Sequence, residues 1–400
     1  MDVLINKNIL FVSGAYNGAI YDFNFNKIYS VNHDANSFLM RFIKTKKSET
    51  NEEREYILKL QQNNLLCSDF NFVEYNHEVD RQNILNFAWL EITQNCNLKC
   101  IHCYEGETHK SNNMSFNIDD WKRIIKDLYS CGCSNIQFIG GEPTCYKNII
   151  ELINYAGLFD FKSISLFTNA TLINDELLDC FVQNKIKVKV SLYGNTAKLH
   201  NSITLIHGSF EKTVQSIREL LKRNINVEVA ITLMRENQDH YEDIVKFVKE
   251  LGVKYFKFDL VREVCNCKQN CHLCTREDLI KKKHRTEPKF SISKNWFTRA
   301  STQNTCWYGK FAIMEDGNVI PCIFERNIIL GNLREKSISD LLKSEQLNSY
   351  WCLDFSQIEE CKDCEFRYAC KDCRPLGLLN GGLYKKSVRC QYHPLTGKWE

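Results

Sequence analysis

The sequence predicts an α/β fold: a parallel sheet with helices on its outer face, preceded by a small α+β unit and followed by a cysteine-rich region. Three observations lead there. Six apolar, β-rich runs alternate with helical runs between Phe87 and Leu260, the signature of strand–helix repeats building one parallel sheet. Residues 1–80 instead set short strands before helices, and most of the 20 cysteines gather in three groups, one near residue 100, one near 270 and one beyond 300. Four hundred residues exceed the usual single domain. The expected organisation is therefore 1–80, 85–262, 263–300 and 301–400.

In the first segment, ILFVSGAYNGAIYDFNFNKIYSV offers strands punctuated by Gly14, Gly18 and an NFNK turn, and DANSFLMRFI and NEEREYILKLQQNNLL have helical spacing. Strands followed by helices in about 80 residues resemble the winged-helix, PqqD-like peptide-recognition element, which implies capture of a leader peptide as a strand added on an exposed sheet edge; the alternative is an accessory domain that only covers the core.

The repeats of the second segment are FAWLEIT, NIQFI, SISLFT, VKVSLY, VEVAIT and YFKFDL, separated by helical runs such as DDWKRIIKDLY, NDELLDCFVQN, FEKTVQSIRELLKR and YEDIVKFVKEL. Ligands of parallel sheets bind at the carboxyl ends of the strands. The distinctive residues fall at those ends. Cys96, Cys100 and Cys103 follow the first run, GGEP (Gly140, Gly141, Glu142, Pro143) the second, Thr168 and Asn169 the third, and Ser191 closes the fourth.

Three thiols spaced Cys-x3-Cys-x2-Cys are one short of a tetrahedral zinc site or a fully ligated cubane. They therefore suggest an iron–sulfur cluster with one iron open to a small molecule. The competing reading is a zinc half-site completed by His102 or His109. The run CNLKCIHCY followed by GGEP after the next strand resembles the radical S-adenosylmethionine (radical SAM) superfamily. The resemblance implies a partial (β/α)6 barrel and a [4Fe-4S] cluster whose fourth iron chelates the amino and carboxylate groups of SAM. It further implies that Glu142 and the adjacent backbone receive the amino group, that Asn169 and Ser191 touch the ribose and carboxylate, and that Tyr104 lies near adenine. The stretch SLYGNTAKLHNSITLIHGSFEKT matches the family's fourth unit with one departure: where relatives often carry an arginine against the SAM carboxylate, Ile203 and its neighbours are uncharged. Lys198 or a residue from elsewhere would substitute.

Beyond residue 300 the order Cys306-x10-Gly317-x4-Cys322, then Cys361-x2-Cys364-x5-Cys370-x2-Cys373 and Cys390, resembles the SPASM extension with its two auxiliary [4Fe-4S] clusters. By that resemblance Cys361, Cys364, Cys370 and Cys390 hold the outer cluster, and Cys306, Cys322 and Cys373 the inner one. Two residues, Lys371 and Asp372, stand where the family usually has three. Seven thiolates leave the inner cluster with an open iron or a ligand from CNCKQNCHLC (Cys265, Cys267, Cys271, Cys274), a run that with His272 also reads as its own zinc knuckle. The remaining cysteines, Cys67, Cys131, Cys133, Cys145, Cys180 and Cys352, read as small apolar side chains.

With 52 basic and 49 acidic residues the formal charge is +3, which gives no tendency to bind nucleic acid. No apolar run approaches the about 18 residues of a membrane span, and the N-terminus lacks the pattern of a secretory signal. A cytoplasmic protein without disulfides is expected. The radical SAM and SPASM resemblance implies cleavage of SAM to a 5′-deoxyadenosyl radical that takes hydrogen from an unactivated carbon, with auxiliary clusters accepting the electron left on the product. It favours a precursor peptide as substrate and a thioether or related cross-link as product, with a reductant such as flavodoxin or ferredoxin as partner. No catalytic residue is assigned. The alternatives are formylglycine formation on sulfatases, peptide epimerisation with Cys145, Cys180 or Cys352 as hydrogen donor, and a zinc-rich binding protein. Sulfatase-maturing relatives carry an acidic residue directly after the second SPASM cysteine, where this chain has Ile323.

Overall fold

The computed structural model describes residues 2–77, 83–103, 115–262, 271–283 and 286–399. Its contacts gather the chain into two units that do not follow linear order: residues 1–81, 285–308 and 349–400 form one, and residues 82–284 and 309–348 the other.

In the first unit, strands β1 (Asp2–Asn6), β2 (Ile9–Ser13), β3 (Gly18–Asp22), β4 (Lys27–Val31) and β5 (Val73–Glu74) form an antiparallel sheet in the order β4-β3-β2-β1-β5. Helices α1 (His33–Thr45) and α2 (Asn51–Gln62) begin where the sequence supplies caps. Asn32 accepts from the Ala35 amide, and Thr50 and Glu53 form a reciprocal capping box. Alternation divides the sheet between two cores. Ile9, Phe11 and Ile20 pack with Phe38, Leu39 and Phe42, while Leu10, Val12, Ala19 and Tyr21 on the other face pack with Phe297, Phe366, Tyr368 and Tyr392. Residues 1–81, read from sequence as a separate segment, thus share a unit with 285–308 and 349–400 because both faces of one short sheet are apolar.

The second unit contains the expected parallel repeats: β6 (Phe87–Glu91), β7 (Asn135–Ile139), β8 (Ser163–Thr168), β9 (Lys187–Leu192), β10 (Asn226–Leu233) and β11 (Tyr255–Leu260). Helices α3 (Ile118–Ser130), α4 (Ile149–Ala156), α5 (Asp175–Gln183), α6 (Ala197–Thr204), α7 (Ser209–Lys222) and α8 (Tyr241–Glu250) connect them. Ala88, Leu90, Ile136, Phe138, Leu166, Val188, Val190 and Val229 are fully buried, and they alternate with polar, half-open positions such as Lys189 and Ser191 on the concave side. Strand β12 (Lys310–Ile313) pairs parallel to β6, and β13 (Asn318–Ile320) and β14 (Gly331–Asn332) extend the sheet antiparallel, giving the order β11-β10-β9-β8-β7-β6-β12-β13-β14. Beyond the six repeats that the sequence announces, the sheet is thus extended by a strand 50 residues further along the chain from β11.

Candidate active site

Cys96, Cys100 and Cys103 lie on the loop that leaves β6 at its carboxyl end, and that loop is tied down by its neighbours. The amides of Gly141 and Glu142 donate to the carbonyls of Thr93 and Asn95 at 2.9 and 2.8 Å. Those of Lys99 and Ile101 donate to Thr204 and Ile203, both at 3.0 Å. The Leu98 amide points at the Cys96 sulfur from 3.4 Å, a donor suited to a metal-bound thiolate. Glycine is required in GGEP because a Cβ on Gly140 would stand 2.2 Å from the Thr93 carbonyl and one on Gly141 2.4 Å from that of Gln94. The close approach that the motif permits is to the cysteine loop itself.

Glu142 is 1% exposed. Its Oε1 accepts from the Thr144 amide at 3.0 Å and from the Thr144 and Thr168 hydroxyls at 2.6 Å, and its Oε2 from the Asn169 amide at 2.6 Å. Burial pushes this carboxyl above its ordinary range, and the hydrogen bonds pull it back in part. Its side chain thus braces the turn through four donors. Pro143, buried, opens the short 3₁₀ turn Pro143–Cys145 that Glu142 caps. Asn169 donates to Asn97 at 2.9 Å and accepts from the Thr171 amide and hydroxyl at 2.9 and 2.7 Å. Its Nδ2 is also 4.0 Å from the Cys96 sulfur. Cys145, the last residue of this turn, lies within electrostatic range of Cys96.

Ser191, half-buried at the end of β9, interacts with the buried hydroxyl of Tyr193, which also reaches the Cys100 thiol. The Tyr193 ring packs edge-on against His102 at 4.7 Å. Burial, and secondarily His272, pushes His102 down to about 4, so this imidazole is neutral. Ile203, where relatives carry arginine, belongs to the apolar cluster of Tyr193, Met234 and Val261 that supports Cys100. Lys198 is exposed. Tyr104, His109, Cys265 and Cys267 lie outside the described residues.

The three thiols sense one another electrostatically, and burial raises those of Cys100 and Cys96, the latter to about 12. Free thiols so placed stay protonated. A bound metal removes that cost by taking the proton's place on sulfur.

Four of the C-terminal cysteines meet in the first unit. Cys361, Cys364, Cys370 and Cys390 line a single cavity, walled by Phe366, Tyr392 and Trp399. Burial raises the Cys361, Cys364 and Cys370 thiols well above their ordinary value. Cys373 is not part of that lining and stands instead at the start of the helical turn Arg374–Leu378. A buried hub draws its segment to that of Cys306: Asn304 accepts from the Cys306 amide at 3.0 Å and donates to Asp372 at 2.7 Å, and the Asp372 amide donates to Thr305 at 2.7 Å. Asp372, half of the shortened spacing, is ion-paired to the fully buried Arg374 at 2.5 Å. Cys322 belongs to the second unit, on the turn after β13, with the Phe324 amide 3.4 Å from its sulfur. Of the CNCKQNCHLC run, Cys274 donates to Gln238 at 3.0 Å, His272 pairs with Glu236 at 2.5 Å, and Cys271 is exposed. Leu273 packs into the cluster beneath Cys100.

Sequence reasoning missed two ion pairs at the carboxyl ends of the strands. Glu91, 1% exposed, is gripped by both terminal nitrogens of Arg326 at 2.8 Å, and Asp259 pairs with Arg262 at 2.7 Å. A carboxylate closing an otherwise apolar strand run was the available signal for Glu91.

The radical SAM superfamily model matches residues 90–248, and the model of the iron–sulfur cluster-binding SPASM domain matches residues 306–365. The chain is 27% identical over 316 residues to the antilisterial bacteriocin subtilosin biosynthesis protein AlbA of Bacillus subtilis, covering 75% of this chain and 70% of that one. It is 26% identical over 290 residues to the sporulation killing factor maturation protein SkfB of the same organism, covering 69% and 67%. The fold is that of Streptococcus suis SuiB, crystallised with its precursor peptide SuiA, with a TM-score of 0.63 at 16% identity over 98% of this chain and 100% of that one. Together, the thiol triplet braced by the glycine turn and the four-cysteine cavity fit the cofactors of that architecture, SAM and [4Fe-4S] clusters, and the chain belongs to the radical SAM superfamily, as an enzyme that carries the SPASM iron–sulfur extension.

Proposed function

We propose that this enzyme matures a ribosomally made precursor peptide in the cytoplasm, joining a cysteine sulfur to a carbon in a thioether or a closely related cross-link. The observation that carries the reading is the pairing of an open three-thiol site at the strand ends with a separate, four-thiol buried cavity. When bound at Cys96, Cys100 and Cys103, the cluster with SAM supplies a 5′-deoxyadenosyl radical able to take hydrogen from an unactivated carbon. The chain's own contribution is to fix that loop through Gly140, Gly141 and Thr93, to brace the turn through Glu142, and to keep water from the thiols by burial. Auxiliary clusters favour a net oxidation over a redox-neutral outcome, and the similarity to two peptide-maturation proteins supports peptide as the substrate class. Ile323 after Cys322 counts against formylglycine formation.

In the same reading, flavodoxin or ferredoxin supplies the electron, Tyr104 lies against adenine, and Cys306, Cys322 and Cys373 share the inner cluster. The antiparallel sheet of the first unit offers an edge strand, β4 (Lys27–Val31), on which a leader peptide would add. Anaerobically reconstituted protein given dithionite, SAM and the precursor peptide encoded beside it should release 5′-deoxyadenosine and lower the peptide mass by two hydrogens. An unchanged peptide mass together with an inverted stereocentre would assign epimerisation instead, and absence of 5′-deoxyadenosine would overturn the enzymatic reading.

A further inference from the structure

The turn that carries Cys322 is clasped at two points, and the two points belong to opposite ends of the parallel repeat. On one side Arg326 makes a two-pronged ion pair with Glu91, the last residue of β6, the first of the six strands. On the other, the Phe324 ring lies 4.4 Å beneath the Arg262 guanidinium, which is itself held by Asp259 of β11, the last of the six. Ile323, between them, packs against the apolar cluster of Ala312, Met314 and Ile320, as does Trp89 of β6. The turn is rigid in itself: the Glu325 amide closes onto the Cys322 carbonyl at 2.9 Å, and the buried Glu325 carboxylate accepts from the Asn327 amide at 3.1 Å. In the sheet order β6 and β11 are separated by four strands and share no hydrogen bonds. Both ion pairs meet at the Cys322 turn, one through Arg326 itself and the other through the Phe324 ring.

A fully buried carboxylate bound at both oxygens by one guanidinium is costly to desolvate and is stable only in good geometry. Such a pair specifies a position more than it adds stability. We propose that Arg326 and Phe324 are positioning residues: they latch the Cys322 turn across the carboxyl ends of the first and last barrel strands and thereby fix the charge environment of the auxiliary cluster bound through Cys322. This rests on the auxiliary-cluster reading of Cys322. It adds a prediction with a sign, because the latch is a neutral pair, and breaking it from either side leaves an opposite charge behind.

The test uses the full chain with Cys96, Cys100 and Cys103 replaced by alanine, so that the auxiliary clusters alone are titrated with dithionite and followed by electron paramagnetic resonance. Glu91→Gln leaves an unpaired guanidinium and should move one auxiliary cluster to a more positive potential. Arg326→Gln leaves an unpaired carboxylate and should move the same cluster to a more negative one. Phe324→Leu, which removes only the ring under Arg262, should change the spectrum of that cluster and leave the other as it was. Unchanged potentials in both charge variants at full iron content, or shifts in the same direction, would overturn the latch. If Arg326→Gln sheds auxiliary iron, Arg326→Lys decides, since it keeps the charge without the two-pronged grip: a shifted potential supports the latch and a wild-type potential overturns it. A parent protein with no paramagnetic cluster at all would instead remove the auxiliary-cluster reading, and the latch with it.

Discussion

The Thr168 hydroxyl donates to the Glu142 carboxylate across 2.6 Å, joining the end of the third parallel strand to the turn that follows the second. The same carboxylate takes the Asn169 amide and both donors of Thr144. It is thus a hub between two of the loops at the site, and no solvent reaches it. Replacing it by alanine strands several buried donors, at about 1–3 kcal/mol for each one left unsatisfied. Glu142→Ala should lower the unfolding free energy by about 2–4 kcal/mol. Glu142→Gln keeps one acceptor oxygen and should lose less. Urea unfolding compared with 5′-deoxyadenosine yield checks both, and a Glu142→Ala protein of wild-type stability that fails only in SAM cleavage would return the carboxylate to a direct role in binding.

Gly140 faces a different constraint, a backbone neighbour that has nowhere to move. A methyl group there would sit 2.2 Å from the Thr93 carbonyl, whose bond to the Gly141 amide holds the root of the cysteine loop. Gly140→Ala should displace that loop at a cost of about 1–3 kcal/mol and sharply reduce iron bound at the triplet, while the four-cysteine cavity keeps its iron. Iron and acid-labile sulfide measured per chain would show the partial loss. Full iron content with normal SAM cleavage would mean the loops can part without harm.

What the sequence made legible follows from the range of the interactions. Strands and helices from Phe87 to Leu260 were readable because each alternation is local, and the triplet and GGEP were readable because a parallel sheet places all its loop ends together. The apolar second face of the first sheet was equally local in origin, but its partners Phe297, Phe366 and Tyr392 lie more than 250 residues away, beyond what periodicity reports. The Glu91–Arg326 pair is separated by 235 residues. Glu142 was legible as a site residue and not as a brace, since the donors it satisfies, Thr144, Thr168 and the Asn169 amide, become visible only once the loops are folded together.

His200, linked to the thiols through Tyr193, provides a pH test. It is 1% exposed, its Nδ1 accepts from the Tyr193 amide at 3.3 Å, and burial pushes it down to about 4. The unfolded chain binds a proton near pH 6.5 that the folded one refuses until about pH 4, so stability is complete above 6.5 and falls as the pH drops through that window. The loss from this residue should total about 3 kcal/mol. His200→Gln should flatten the slope between pH 6.5 and 4 in urea unfolding, and a slope equal to the parent's would show that other groups carry it.

The outer cysteines should control the stability of the N-terminal sheet. The Ala15 amide donates to the Asp363 carbonyl at 2.8 Å and the Tyr21 hydroxyl to that of Glu365 at 2.9 Å. Arg367 donates to the carbonyls of both Ser13 and Cys364, at 3.1 and 2.9 Å, and pairs with Asp2. The segment between Cys361 and Arg367 is thus stitched to β1, β2 and β3, and two of its own thiols open into the cavity of Cys370 and Cys390. Filling that cavity with a cluster freezes the segment, because four ligand bonds replace chain entropy that contacts alone must overcome. Cys361→Ala should therefore speed amide exchange in Ile9–Ser13 and Gly18–Asp22 by at least about tenfold, equivalent to about 1.4 kcal/mol of local opening, with the amides of Asn135–Ile139 and Ser163–Thr168 unchanged. Equal protection in both sheets would mean that the aromatic packing of Tyr21, Phe297 and Tyr368 holds the sheet without help from the thiols.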